Sequence, residues 1–152
     1  EYVIVRQTDA VYLYVAHPIA RMKELPYREI CGEHAPLCTT GIGKAILANL
    51  PPEEWLSRLP EIIPAHTTQT ITDKDKILQE LQSTRERGFA IDNCEHELNV
   101  RCVGVPVYNA RGALVAGISS SGAVQVMTDR KVMECADILM GITQRIKERL
   151  YA

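Results

Sequence analysis

The 152-residue chain lacks four things at once: a C-x-x-C pair, an apolar run of membrane-spanning length, a stretch that reads as a secretory signal, and a cluster of basic residues. Five cysteines (Cys31, Cys38, Cys94, Cys102 and Cys135) are odd in number and widely spaced, so they suit neither a secreted disulfide framework nor a structural zinc site. Reduced thiols in a cytoplasmic protein are the expectation. The missing apolar run and signal leave no membrane partner to expect. The missing basic patch excludes a direct grip on nucleic acid, which rests on Lys and Arg facing phosphates. Net charge is -2, and the densest basic group, Arg145, Lys147 and Arg149, is interrupted by Glu148. If the protein acts on DNA, another part of it makes the contact. Internal repeats, linkers and low-complexity segments are also lacking.

What is present reads as one globular domain over residues 1–152. Hydrophobic residues make up 46% and charged residues 24%, ordinary values for a packed domain. A chain of this size buries roughly 70% of its unfolded surface and needs no metal or disulfide to fold. It opens at Glu1 rather than Met and runs almost at once into a strand-like segment, which suggests a piece of a longer protein.

Tyr2 to Gln7 and Ala10 to Ala16 are rich in β-branched and aromatic residues and read as an antiparallel pair of strands. The segment 17–37, with Pro18, Pro26, Gly32 and Pro36, holds one more short strand plus loop. A helix over 41–50 follows Thr39 or Thr40 as N-cap, with Ile42, Ile46, Leu47 and Leu50 on one face. Pro51-Pro52 stops it, and Pro52 opens a short helix through Leu59. Thr72 precedes a further helix with Ile77, Leu78 and Leu81 inward, ended by Gly88. Phe89 to Asp92 reads as a strand.

Residues 101–121 form a hairpin in which Val103, Val105 and Val107 alternate with Gly104 and Pro106, and Asn109 to Gly112 makes the turn. Pro106 places that strand at an edge or beside a bulge. Thr128 caps a last helix to about Leu150, with Val132, Cys135, Ala136, Leu139, Met140, Thr143, Ile146 and Leu150 as its apolar stripe. Hairpin-joined strands imply an antiparallel sheet with helices on its faces.

Three groups of residues could carry chemistry. The Gly41-Ile42-Gly43 helix start exposes backbone N–H groups at the positive dipole end, which suits a carboxylate or phosphate; the glycines equally suit tight packing of helix on sheet. Gly43-Lys44 is not a nucleotide-binding P-loop, because position 38 is Cys and position 45 is Ala. Strand alternation puts Ser119 and Ser121 on one face, fit for a polar ligand or simply for a strand end. Asp92-Asn93-Cys94-Glu95-His96-Glu97 gathers acids, a thiol and an imidazole. A metal or Cys/His site there lacks a second ligand pair, and a solvated acidic loop accounts for Glu95 and Glu97.

Several segments together resemble the C-terminal domain of IclR-type transcription factors. Pro36-Leu37-Cys38-Thr39-Thr40-Gly41-Ile42-Gly43-Lys44-Ala45-Ile46-Leu47 is similar to their P-L-H-x-T/S-x-x-G-K-A-L-L segment, and Thr67 to Asp73 to T-x-x-T-I-T-D. Arg85 to Asp92 resembles R-x-x-G-Y-A-x-D with Phe89 for Tyr and Glu95 as the acid that follows. Arg101 to Val107 resembles x-C-V/I-A-A-P-V, and Ser119 to Gly122 resembles S-x-S-G. The resemblance runs in order over essentially the whole chain.

It implies an α+β, GAF-like fold: a central antiparallel sheet of about six strands with helices packed on its faces and a long C-terminal helix. It also implies an effector-binding domain that forms a homodimer or homotetramer and reaches operator DNA only through an N-terminal winged helix-turn-helix absent here. The effector would be a small carboxylate, namely a 2-oxo acid, a sugar acid or an aromatic acid, held by Gly41, Ile42, Asp92, Val100, Cys102, Ser119 and Ser121. No catalytic residue, metal or cofactor is implied. Asn99 stands where the family usually has Gly, and Cys38 where it usually has His. Two other readings stay in view: a GAF-like thiol redox enzyme using Cys94 or Cys102, and an assembly domain with a vestigial pocket.

Overall fold

The computed structural model describes residues 8–17 and 31–151. The strand expected over residues 2–7 lies outside these. Among the described residues there are five strands in two antiparallel sheets. Strand β1 (Asp9–Val11) pairs with β2 (His34–Pro36), so the strand expected over 10–16 is much shorter and begins one residue earlier. The second sheet has the order β3 (Ala90–Asn93), β4 (Val100–Tyr108), β5 (Leu114–Ala123).

Pro106 sits in the central strand of this sheet, yet β3 reaches only as far as Gly104 and the β4–β5 register slips between Val107 and Tyr108. Proline is therefore placed past the end of one ladder and next to an irregularity, where its missing N–H costs no β3 hydrogen bond. Asn109 builds the hairpin loop: its side-chain oxygen accepts from the N–H groups of Arg111 and Ala113 at 3.0 and 2.9 Å. Gly112 takes φ 80° there.

Period-2 alternation sends the two faces of β4 to different partners. Val103 and Val105 pack with Phe89, Met127, Val132, Ala136 and Leu139 beneath α3 (Asp129–Arg149). Thr128 caps α3, accepting from the N–H of Lys131 at 3.3 Å. Arg101 also points to this face, donating to the Met127 carbonyl at 2.7 Å and pairing with Asp129 at 2.9 Å.

Cys102 and Gly104 face the opposite side, where α1 (Gly41–Asn49) lies on the sheet. Helix α1 is enclosed rather than amphipathic, with seven of its nine residues buried. It packs between the sheet and α2 (Lys74–Arg87) in a second core that includes Leu37, Ile46, Leu47, Trp55, Leu59, Ile77 and Leu81. Full burial of each such Leu or Ile contributes about 1.5–3 kcal/mol.

Local capping differs from expectation in one place. Asp73, not Thr72, caps α2, accepting from the N–H of Lys76 at 3.0 Å; a carboxylate also complements the helix dipole. Gly88 closes α2 in the left-handed region at φ 87°. The short helix expected over 52–59 is two successive 3-10 turns, Pro52–Glu54 and Leu56–Arg58. Among the described residues no helix is long and apolar enough to cross a membrane.

Candidate effector-binding site

The register of the three-stranded sheet draws most of the expected residues into two rows. Asp92 lies opposite Cys102, which lies opposite Ser121; one row on, Ala90, Gly104 and Ser119 align. Even spacing along each strand puts Asp92, Cys102, Ser119 and Ser121 on the face that α1 covers. Val100 is on the same face, one step beyond Cys102 and opposite Ala123, half-buried. Asp92 and Cys102 are buried, Ser119 is half-buried and Ser121 is exposed.

Helix α1 meets these rows end-on. Thr40 caps it: the N–H of Gly43 donates to the Thr40 hydroxyl at 3.0 Å and the N–H of Lys44 to its carbonyl at 2.9 Å. The N–H groups of Gly41 and Ile42 thus form the helix tip over the sheet. A Cβ on Gly41 would come within 2.9 Å of the Cys102 sulfur, and one on Gly104 would run into the Gly41 carbonyl. Glycine is therefore needed for close packing here, and that packing brings the dipole end of α1 onto Cys102.

Burial pushes the Cys102 thiol above its ordinary pKa, against the pull of the Ser121 and Ser119 hydroxyls and the Gly41 N–H. A thiol held in its neutral form is the reverse of an activated nucleophile. This counts against the redox reading for Cys102. All five cysteines are free.

Asp92 is held from behind. Its Oδ1 accepts from the backbone N–H of Glu95 at 2.7 Å and of His96 at 3.4 Å. Burial raises its carboxyl above the ordinary range, opposed by the Glu95 N–H and by the charge of Lys44. The expectation that Glu95 belongs to a solvated acidic loop is wrong. Glu95 is only 5% exposed, and its carboxylate receives the Lys44 ammonium at 2.9 and 2.7 Å; only Glu97 is exposed.

The Thr67 and Thr70 hydroxyls donate to the carbonyls of Cys94 and Glu95, each at 2.6 Å, and His96 Nδ1 lies 3.1 Å from the Thr39 hydroxyl. The T-x-x-T segment thus clamps the loop. Cys94, at φ 58°, is not in the extended backbone that would align it with His96. Among the described residues no group of three or more His, Cys, Asp and Glu is placed to hold a metal ion.

Asn99 occupies the left-handed region at φ 61°, which explains its standing in for glycine. Asparagine tolerates this backbone, whereas other side chains lose about 1–2 kcal/mol in it. Asn99→Gly is expected to leave the denaturation midpoint nearly unchanged and Asn99→Val to lower stability by about 1–2 kcal/mol. Equal midpoints for the two variants would show that the turn relaxes freely.

Sequence reasoning missed Tyr12, Lys44 and Glu95 as parts of this region. The Tyr12 hydroxyl is pushed up to about pKa 12, by burial first and then by Cys102, Asp92 and Glu33, so its phenol stays protonated beside the site. The expected residues do not line either of two open cavities. One, of about 280 Å³, is bordered by Gln69, Ile71, Glu80, Arg87, Ile91, Asn93 and Glu95; the other, of about 340 Å³, runs along the end of α3.

Helix α1 thus lies on one face of the three-stranded sheet and α3 on the other, with the α1 tip over the row of Asp92, Cys102 and Ser121. The family model "Bacterial transcriptional regulator IclR C-terminal" matches residues 2–148, and the chain belongs to that family as its effector-binding domain. It is 30% identical over 135 residues to the HTH-type transcriptional regulator KdgR of Escherichia coli (strain K12), covering 88% of this chain and 51% of KdgR. With the regulator BhcR of Paracoccus denitrificans it shares 34% over 110 residues, covering 72% of this chain and 39% of BhcR. The chain thus spans about half or less of the length of these curated relatives.

The crystal structure of Thermotoga maritima IclR superposes with a TM-score of 0.85 at 32% identity, over 99% of this chain and 60% of that one. The inducer-binding domain of PobR from Acinetobacter, complexed with 3-hydroxybenzoic acid, has the same fold: TM-score 0.81 at 23% identity, over 95% and 84%.

Proposed function

We propose that the domain binds a small organic carboxylate between the α1 tip and the Asp92–Cys102–Ser121 row, and that binding alters operator affinity through a DNA-binding part outside this chain. One observation carries the reading: close packing sets the α1 tip, with its Gly41 N–H, against Cys102, and the sheet register places Ser121 opposite Cys102 and Ser119 one row on. These donors, with the N–H of Ile42, suit a carboxylate at a helix tip. Asp92, across the row, suits a hydroxyl on the same ligand, so hydroxy acids and hydrated 2-oxo acids fit better than a bare aliphatic acid. Val100 supplies an apolar wall, giving the mix of apolar lining and few directed polar groups that small-ligand sites use.

An effector that prefers one arrangement of a homodimer or homotetramer shifts the population of arrangements, and with it the spacing of the attached DNA-binding domains. Repression relieved by the effector is the mode proposed, in a cytoplasmic protein.

Thermal unfolding against glyoxylate, pyruvate, gluconate and 3-hydroxybenzoate tests this. An acid at about a hundred times its Kd adds roughly 2.7 kcal/mol, raising the midpoint by about 5–10 °C. A rise that vanishes in Ser119→Ala is the expected result. No rise with any acid, from a folded and assembled protein, would leave an assembly domain as the better description.

A further inference from the structure

Lys44 and Glu95 link the two sides of the site without belonging to either. Lys44 lies one turn into α1, the helix whose tip carries Gly41 and Ile42, and is wholly buried. Its ammonium donates to both Glu95 oxygens and, at 2.5 Å, to the carbonyl of Ile91, the residue before Asp92. Glu95 also accepts from the Asn93 N–H at 3.0 Å, while its own N–H donates to Asp92 at 2.7 Å. Bonds from one ammonium thus fix the backbone on both sides of Asp92 relative to the helix tip.

Desolvating two charges offsets most of their attraction, and apolar residues of similar volume often stabilise a core as well or better. Stability alone therefore gives a weak account of the pair. Direction gives a better one, because an ammonium with three directed bonds sets a distance and angle that apolar packing does not.

We infer that the Lys44–Glu95 pair is a positioning device: it holds the Asp92 carboxylate and the α1 tip at the separation a small acid bridges, without touching the acid. What is bridged rests on the effector reading; the positioning does not.

The test is the double variant Lys44→Met/Glu95→Leu, which replaces the pair by apolar residues of similar size. Three quantities are read: the thermal midpoint, hydrogen exchange of the Glu95 and His96 amides, and Kd for whichever of glyoxylate, pyruvate, gluconate and 3-hydroxybenzoate stabilises the parent most. The expected result is a midpoint close to the parent's, with the two amides exchanging about tenfold faster or more and Kd raised about tenfold or more. A folded double variant with parental exchange and Kd would overturn the inference and leave a merely structural pair.

Should that variant not fold, Glu95→Gln is read the same way. It is isosteric and leaves Glu80 3.9 Å from the Lys44 ammonium to balance the charge. If no acid stabilises the parent, the effector reading fails while amide exchange still decides the positioning.

Discussion

Replacing Gly104 by alanine is expected to cost more than any other single-methyl addition on the sheet, and to weaken effector binding with it. A Cβ there points at the carbonyl of Gly41 and lies 2.8 Å from the Ile42 nitrogen. Those atoms are backbone, so no side-chain rotation relieves the overlap; α1 has to move off β4. Overpacking of this kind costs about 1–3 kcal/mol, occasionally more, and a rigid neighbour argues for the upper end.

The same movement parts the Gly41 N–H from Cys102 and the serine hydroxyls, so stability and affinity fall together. Gly141 supplies the control. It is exposed on α3, and among the described residues nothing lies within 4 Å of a Cβ added to it. Gly141→Ala should stabilise the helix by about 0.5–1 kcal/mol. Denaturant midpoints of the two variants decide the matter, and a Gly104→Ala protein as stable as its parent would show that α1 does not need its close approach to β4.

That close approach marks where the sequence is readable and where it stops being so. Local rules serve well within an element. Alternation places Ser119 and Ser121 on one face, and the Thr128 cap with its apolar stripe delimits α3. A turn residue such as Asn109 announces the hairpin, and glycines before a helix announce either packing or a ligand.

The rest depends on partners distant in the chain. Glu95 reads as solvated because its neighbours are charged, whereas the residue that buries it, Lys44, stands 51 positions away on another element. Asp92 faces Cys102 only because the loop between β3 and β4 turns back through left-handed backbone at Cys94 and Asn99, a register that no local pattern states. Tyr12 looks like one more strand residue until β2 and the sheet are in place around it. The candidate residues came from the order of motifs shared with a family, which records the outcome of those distant pairings without displaying them.

Asp92→Asn is expected to separate binding from folding. Both backbone N–H groups that reach Asp92 donate to Oδ1, and an asparagine oxygen can keep that place. What is lost is the charge and the second acceptor, the atom proposed to meet an effector hydroxyl. Burial raises the Asp92 carboxyl in the folded protein above its unfolded value of 3.8. Between those two values the folded state retains a proton the unfolded state has released, so the contribution of Asp92 to stability falls as pH rises through that window. Above it, the charge is a net cost to the fold.

Asparagine carries no such cost. The variant should therefore match or exceed the parent in stability at neutral pH and lose part of the decline seen on raising the pH from the ordinary carboxylate range. Glu95, whose carboxyl is also raised by burial against the pull of Lys44, leaves a residual slope in both proteins. Effector affinity should meanwhile drop about tenfold to a hundredfold, the scale of one hydrogen bond to a charged group. Urea unfolding at several pH values beside ligand titration measures both. A variant that loses stability in step with affinity would make Asp92 a structural carboxylate, and the polar side of the site would have to be sought elsewhere on the α1-facing sheet.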